Sequence, residues 1–171
     1  MAKILAIIIS FLLILFPDSG TLLVYQQQLA FPGEKAVAEE IIDAIKDRDA
    51  EALTNMYSEA AKSTGEITTE NFEHFFESFD GDVIYGDYLY ADGGDHIAYG
   101  SGESHRQLRI EFKTNKETYR LYVSWQIVET ENPQKVGLVQ LTLFPKTSSW
   151  EEYEGVLAQI PLKDSLTNVG Y

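Results

Sequence analysis

Acid–base catalysis in a pocket needs a carboxylate base beside a hydroxyl or protonated acid that can hold a developing oxyanion. The combination with those types is Asp87 with Tyr88, Tyr90 or Tyr99, and Asp87 and Tyr99 are the candidate catalytic groups. Asp87 follows Gly86, a setting that equally suits a strand bend. No two of His74, His96 and His105 stand at the i, i+4 spacing of a helical metal pair. Asp80, Asp82, Asp87, Asp92 and Asp95 offer oxygens to a hard cation, but their spacing departs from the EF-hand loop and fits turns and caps. The chain has no cysteine, which removes disulfides, thiolate metal sites and a cysteine nucleophile. No G-x-S-x-G elbow, phosphate loop or dinucleotide fingerprint occurs, so neither a metal nor a cofactor is expected.

A second group of residues could bind rather than react. Phe72, Phe76, Tyr88, Tyr119 and Trp125 are the candidate ligand-binding residues, because aromatic rings on a helix and a facing sheet either line a pocket or fill it.

The elements that must position these residues follow from periodicity. Residues 34–46 carry Val37, Ile41, Ile42 and Ile45 on one side, an amphipathic first helix. Asp49 can cap a second helix bearing Leu53, Met56, Tyr57 and Ala60 and ending at Thr64-Gly65. Thr68 or Thr69 can cap a third, with Phe72, Phe75, Phe76 and Phe79 on one stripe. From Val83 the period changes to two, the mark of strands. Strands are expected over 83–90 and 96–101 around a turn at 92–95.

A hairpin follows with Asn115-Lys116 as its turn. A two-residue loop there sets Phe112 opposite Tyr119, Ile110 opposite Leu121 and Leu108 opposite Val123, all apolar. The same register sets Glu111 opposite Arg120 on the other face. A further strand places Val139, Leu141 and Leu143 inward and would bring Glu129 opposite Lys135, with Gly137 marking a bulge. The tail from Ser149 shows Trp150, Tyr153, Val156 and Leu157 at helical spacing.

The formal net charge is -14, and residues 31–80 alone hold 13 acids against 4 bases. That balance repels phosphate backbones, so no nucleic-acid partner is expected. Residues 4–16 form an apolar run after Lys3, closed by Pro17-Asp18-Ser19-Gly20. This has the length of an export signal and falls short of a full membrane span. A cleaved signal is favoured over an anchor, although Thr21 to Tyr25 would lengthen the apolar stretch of an anchor. Membrane contact is therefore expected only through residues 1–30, and the location is extracytoplasmic, secreted or anchored. The expected organisation is 1–30 as signal peptide or membrane anchor, 33–146 as the α+β domain and 147–171 as an extension with a short helix.

Three helices and then about five antiparallel strands resemble the nuclear transport factor 2 superfamily, the cystatin-like cone that also houses ketosteroid isomerase. The stretches 38–46, 49–53 and 75–81, with Tyr122-Val123-Ser124-Trp125 and 131–138, are similar to a family of uncharacterised Gram-positive bacterial lipoproteins. The resemblance covers roughly 34–146 and implies helices packed on a strongly curved sheet. It carries no activity across, and this chain lacks the lipidated cysteine usual after the signal in such proteins. The leading expectation is a non-enzymatic envelope domain that binds a small molecule, peptide or protein. One alternative is a cone-fold isomerase or hydrolase using a pocket carboxylate and tyrosines; another is an acidic interaction or immunity-type protein. A homodimer through the open sheet face also fits the resemblance.

Overall fold

The computed structural model describes residues 19–99, 101–145 and 155–161. Helices come first: α1 (Ser19–Ala30), α2 (Glu34–Asp47), α3 (Ala50–Met56), α4 (Glu59–Lys62) and α5 (Thr69–Glu77). Strands β1 (Val83–Ala98), β2 (Ser101–Thr114), β3 (Thr118–Glu129), β4 (Gly137–Pro145) and β5 (Ala158–Ile160) follow. They pair antiparallel in the order β1-β2-β3-β4-β5, an open sheet with β1 and β5 at its edges. The class is α+β.

The helical half obeys its caps. The Asp49 carboxylate accepts from the Ala52 N–H at 2.9 Å, and the Thr68 hydroxyl accepts from Asn71 at 3.2 Å. Between α2 and α3 the chain turns at Arg48, whose φ of 53° lies in the left-handed region usually left to glycine. Arg48 recovers part of that cost through its side chain. Its guanidinium donates to the Phe76 carbonyl at 3.3 Å and stands 5.4 Å from the Phe79 ring centre, tying the turn to α5.

The second expected helix is not continuous. Tyr57 and Ser58 leave helical geometry, because the Ser58 N–H donates to the Leu138 carbonyl and the buried Tyr57 hydroxyl donates to the Ile160 carbonyl at 2.8 Å. Two long-range hydrogen bonds replace one helical turn. The Ser58 hydroxyl then caps α4 by accepting from Ala61.

In the core, Phe72, Phe75 and Phe76 of α5 and Phe79 just beyond it are buried with Leu108, Ile110, Phe112, Leu121, Val123, Leu141 and Leu143 from the sheet. The β2–β3 hairpin has the register predicted from its turn: Phe112 pairs with Tyr119, Ile110 with Leu121, Leu108 with Val123 and Glu111 with Arg120. The turn is held by the Thr114 N–H donating to the Glu117 carbonyl at 2.8 Å. Pairing of β3 with β4 begins in the predicted frame, Leu121 with Leu143 and Val123 with Leu141, then slips by one residue between Ser124 and Trp125. Val139 is the extra residue, so the predicted pairing of Glu129 with Lys135 is lost. Lys135 lies instead in a 3₁₀ turn, Pro133–Lys135.

Two further expectations are corrected. The turn predicted at 92–95 is absent, and β1 runs unbroken through Asp92, Gly93, Gly94 and Asp95, each paired with β2. Glycine-rich turn chemistry yields here to a long partner strand that supplies backbone hydrogen bonds throughout. At the C-terminal end Ala158–Ile160 is a strand beside β4, where helical spacing predicts the end of a helix over 150–159. Pairing on β4 supersedes the local pattern; residues 150–154 of that expected helix lie outside the described residues. At the N-terminal end, α1 occupies the last part of the expected export segment and packs on the domain. Val24 is buried with Ile127 and Val128, and the Gln27 amide donates to the Glu129 carbonyl and accepts from its N–H, both at 3.1 Å. The apolar run at 4–16 lies outside the described residues, and among those described no helix is long and apolar enough to cross a membrane.

The approach of α2 to the sheet depends on Gly86, which is paired with Phe112. A Cβ there would stand 2.6 Å from Ile42 Cγ2 and under 3 Å from two more atoms of the same side chain. Ile42 is β-branched and stiff, so it cannot swing aside cheaply. Gly86→Ala is expected to lower unfolding free energy by about 1–3 kcal/mol, the usual range for overpacking. Adding Ile42→Ala should recover part of the loss relative to Ile42→Ala alone. Urea unfolding midpoints of the four-member cycle check both statements.

Candidate functional site

The candidate catalytic groups stand apart. Asp87 is exposed on β1 opposite Glu111, facing away from the helices, and Tyr99 sits at the hairpin tip with 99% of its surface accessible. Asp87's closest functional neighbour is Tyr85, two residues away on the same face. The Asp87 charge and a hydrogen bond to it push the Tyr85 hydroxyl above its ordinary pKa. Neither residue enters an enclosed space, so the pair lacks the desolvation that tunes an acid–base centre.

The candidate binding residues divide in two. Phe72, Phe76 and Tyr119 come together inside the core, where they fill space. Phe72 packs against Tyr57 and Phe76, while the Tyr119 ring stacks on Phe112 and its hydroxyl accepts from the Asp80 N–H at 2.9 Å. Tyr88 and Trp125 are half-buried at the rim. Burial, then the charge of Glu34, raises the Tyr88 pKa. Trp125 packs on Phe31 and touches both apolar clusters, joining α1 to the main core. The histidines are scattered: His74 pairs with Glu77 on the surface of α5 at 3.5 Å, an H-x-x-E spacing without a third ligand. Among the described residues no group of three potential metal ligands occurs.

One polar cluster is well knit. Arg106 on β2 binds Asp95 at 2.9 Å and Glu34 of α2 at 3.3 Å, and Asp95 also accepts from the Ser104 hydroxyl. The hydrogen bonds from Arg106 and Ser104 hold the Asp95 carboxyl below its usual pKa. Every member has a partner within the cluster, so the arrangement reads as a clamp between the first turn of α2 and the far half of the β1–β2 hairpin.

An open groove of about 310 Å³ runs between α2 and the start of β1, lined by Glu39, Ile42, Asp43, Lys46, Val83, Ile84, Tyr85 and Gly86. Its making is local. Gly86 draws α2 inward while two bulges in β1, between Val83 and Tyr85 and between Tyr88 and Tyr90, disturb the alternation. Ile84 and Leu89 are the extra residues, and with Tyr85 and Tyr90 they are 59, 43, 61 and 46% exposed. Because β1 has a strand neighbour on one side only among the described residues, a row of its backbone N–H and C=O groups faces outward beside these apolar side chains. The arrangement supplies hydrogen bonds, apolar contact and the carboxylates of Glu39 and Asp43. It supplies no nucleophile–base pair.

Sequence reading missed Ile84, Tyr85 and Leu89, and took Tyr90 only as an acid–base partner of Asp87. Their signal was present as two adjacent apolar pairs, Ile84-Tyr85 and Leu89-Tyr90, more than one inward row can accept.

A family model described as Domain of unknown function (DUF5104) matches residues 40–147. A search of curated proteins finds no match.

The clamp predicts a pH dependence. A carboxyl whose folded pKa is depressed contributes stability that is present above its unfolded value, about 3.9, and lost as pH falls through the folded value. Asp95→Asn should therefore be less stable than the parent at neutral pH, with the gap closing as pH falls from the unfolded value through the lowered folded one. Denaturation midpoints measured across that range check it. A gap that persists unchanged in acid would assign the loss to geometry rather than charge.

Proposed function

Because the chain belongs to the DUF5104 family, whose function is unknown, we propose its role from geometry: a non-catalytic domain that captures an extended segment of a partner protein in the groove between α2 and β1. The supporting observation is the exposed β1 edge, where Ile84, Tyr85, Leu89 and Tyr90 stay accessible next to outward backbone groups. A strand laid along such an edge gains main-chain hydrogen bonds, and pockets beside it read alternate side chains.

The wider setting is part of the same proposal. Helices followed by an antiparallel sheet agree with a nuclear transport factor 2-like domain, and the apolar run 4–16 after Lys3 agrees with export to the cell envelope. The acid–base alternative draws no support from Asp87 and Tyr99, which are exposed and separate. A small-molecule reading draws none from Phe72, Phe76 and Tyr119, which occupy the space a ligand would need.

Selection of short peptides from a random display library against the full chain tests the proposal. The expected result is a set of binders that weaken on the order of tenfold against the double variant Ile84→Ser, Leu89→Ser, in keeping with loss of apolar anchors. Those binders should slow hydrogen exchange in β1. Both substituted positions are exposed, so the variant's melting temperature should stay near the parent's. Binders indifferent to the variant that protect a different surface would overturn the proposal.

A further inference from the structure

We infer that the segment captured at the β1 edge is basic, with Lys or Arg alternating with apolar residues, and comes from another protein rather than from a second copy of this chain. The inference rests on the reading of the groove given above and names its partner class.

Charge complementarity carries it. Edge strands are commonly guarded by Lys or Pro. Across Val83–Ala98, β1 has Asp87, Asp92 and Asp95 but no Lys, Arg or Pro. Asp95 is engaged by Arg106, and Asp92 lies 4.0 Å from Arg109, whereas Asp87 has Tyr85 as its neighbour. The groove alongside adds Glu39 and Asp43 against Lys46. The bulges at Ile84 and Leu89 divide the edge into pairing stretches 85–88 and 90–98, each with acids.

Self-pairing meets this charge head-on. Two β1 edges brought together would oppose acidic strands in molecules that each carry -14, and like charges directly opposite destabilise a strand pair. The chain's own remaining segments are poor candidates too. Residues 1–18 contain one base and one acid, 146–154 one base and three acids, and 162–171 one base and one acid. An extended segment with alternating cations instead sets its bases on the face of β1 that carries Asp87 and Asp92, with their methylene stems against Tyr85 and Tyr90, and turns its apolar residues to the face of Gly86 and Tyr88.

Four synthetic peptides of equal length test this on the full chain by fluorescence anisotropy: alternating Val–Lys, Val–Ser and Val–Glu, and Val–Lys with alternate amides N-methylated. Val–Lys is expected to bind on the order of tenfold more tightly than Val–Ser, as a few cross-strand ion pairs would provide. Val–Glu should bind weakest, high salt should shrink the differences, and Asp87→Asn with Asp92→Asn should bring Val–Lys toward Val–Ser. N-methylation, which removes the strand's donors without changing its charge, should abolish β1 protection in hydrogen exchange. Equal binding of Val–Lys and Val–Ser with β1 protected would overturn the basic partner and leave groove capture standing. Tight binding of the N-methylated peptide would reduce the effect to diffuse attraction and overturn strand addition. No β1 protection by any peptide would remove the groove reading itself. Sedimentation showing a dimer that dissociates on Ile84→Ser with Tyr85→Ser would make a second copy the occupant.

Discussion

The Phe79 ring stands edge-on to Phe112 at 5.3 Å and to Tyr119 at 5.9 Å, and Phe112 and Tyr119 stack at 5.4 Å across the β2–β3 hairpin. Each such pair contributes about 0.5–1.5 kcal/mol beyond the area it buries. The larger consequence is architectural: this contact joins the end of the helical half to the turn end of the central hairpin. Phe75 meets Phe79 and Phe76, and Phe76 meets Phe72, so the ring chain passes along α5 and reaches Tyr57. A core filled in this way has aromatic carbon between α5 and the central hairpin.

The surface follows from how α2 meets that core. Gly86 permits contact with Ile42, and the left-handed turn at Arg48 sends the chain from α2 into α3 while its side chain reaches back to Phe76 and Phe79. At the opposite end of α2, Glu34 meets Arg106. A helix held at both ends and drawn close at Gly86 leaves Glu39, Asp43 and Lys46 on the rim of a groove. Binding in that groove would use a rigid wall on one side and an open strand edge on the other, which limits the ordering cost of association.

Much of the fold was legible in the sequence. The Asn115-Lys116 turn and the alternation on either side of it were sufficient for every inner pair from Phe112–Tyr119 to Leu108–Val123, because turn length and side-chain parity leave one register that buries the apolar row. The phenylalanine stripe, the cap at Asp49 and a cap at Thr68 or Thr69, of which the structure uses Thr68, were legible for the same reason, since spacing within a helix is local. The candidate site was not. Asp87, Tyr88 and Tyr99 were near in sequence, yet one faces outward, one sits at the rim and one occupies a hairpin tip.

What the sequence by itself determined is therefore the change from helices to strands, the central hairpin's register and the identity of the core rows, all of which depend on periods of a few residues. Tertiary structure alone decided the break at Tyr57, the unbroken course of β1 through Gly93 and Gly94, and the strand at 158–160. It also decided which apolar residues remain outside, through the bulges at Ile84 and Leu89. Each of these turns on hydrogen bonds or packing between segments distant in the chain, and such contacts leave no period in the local sequence.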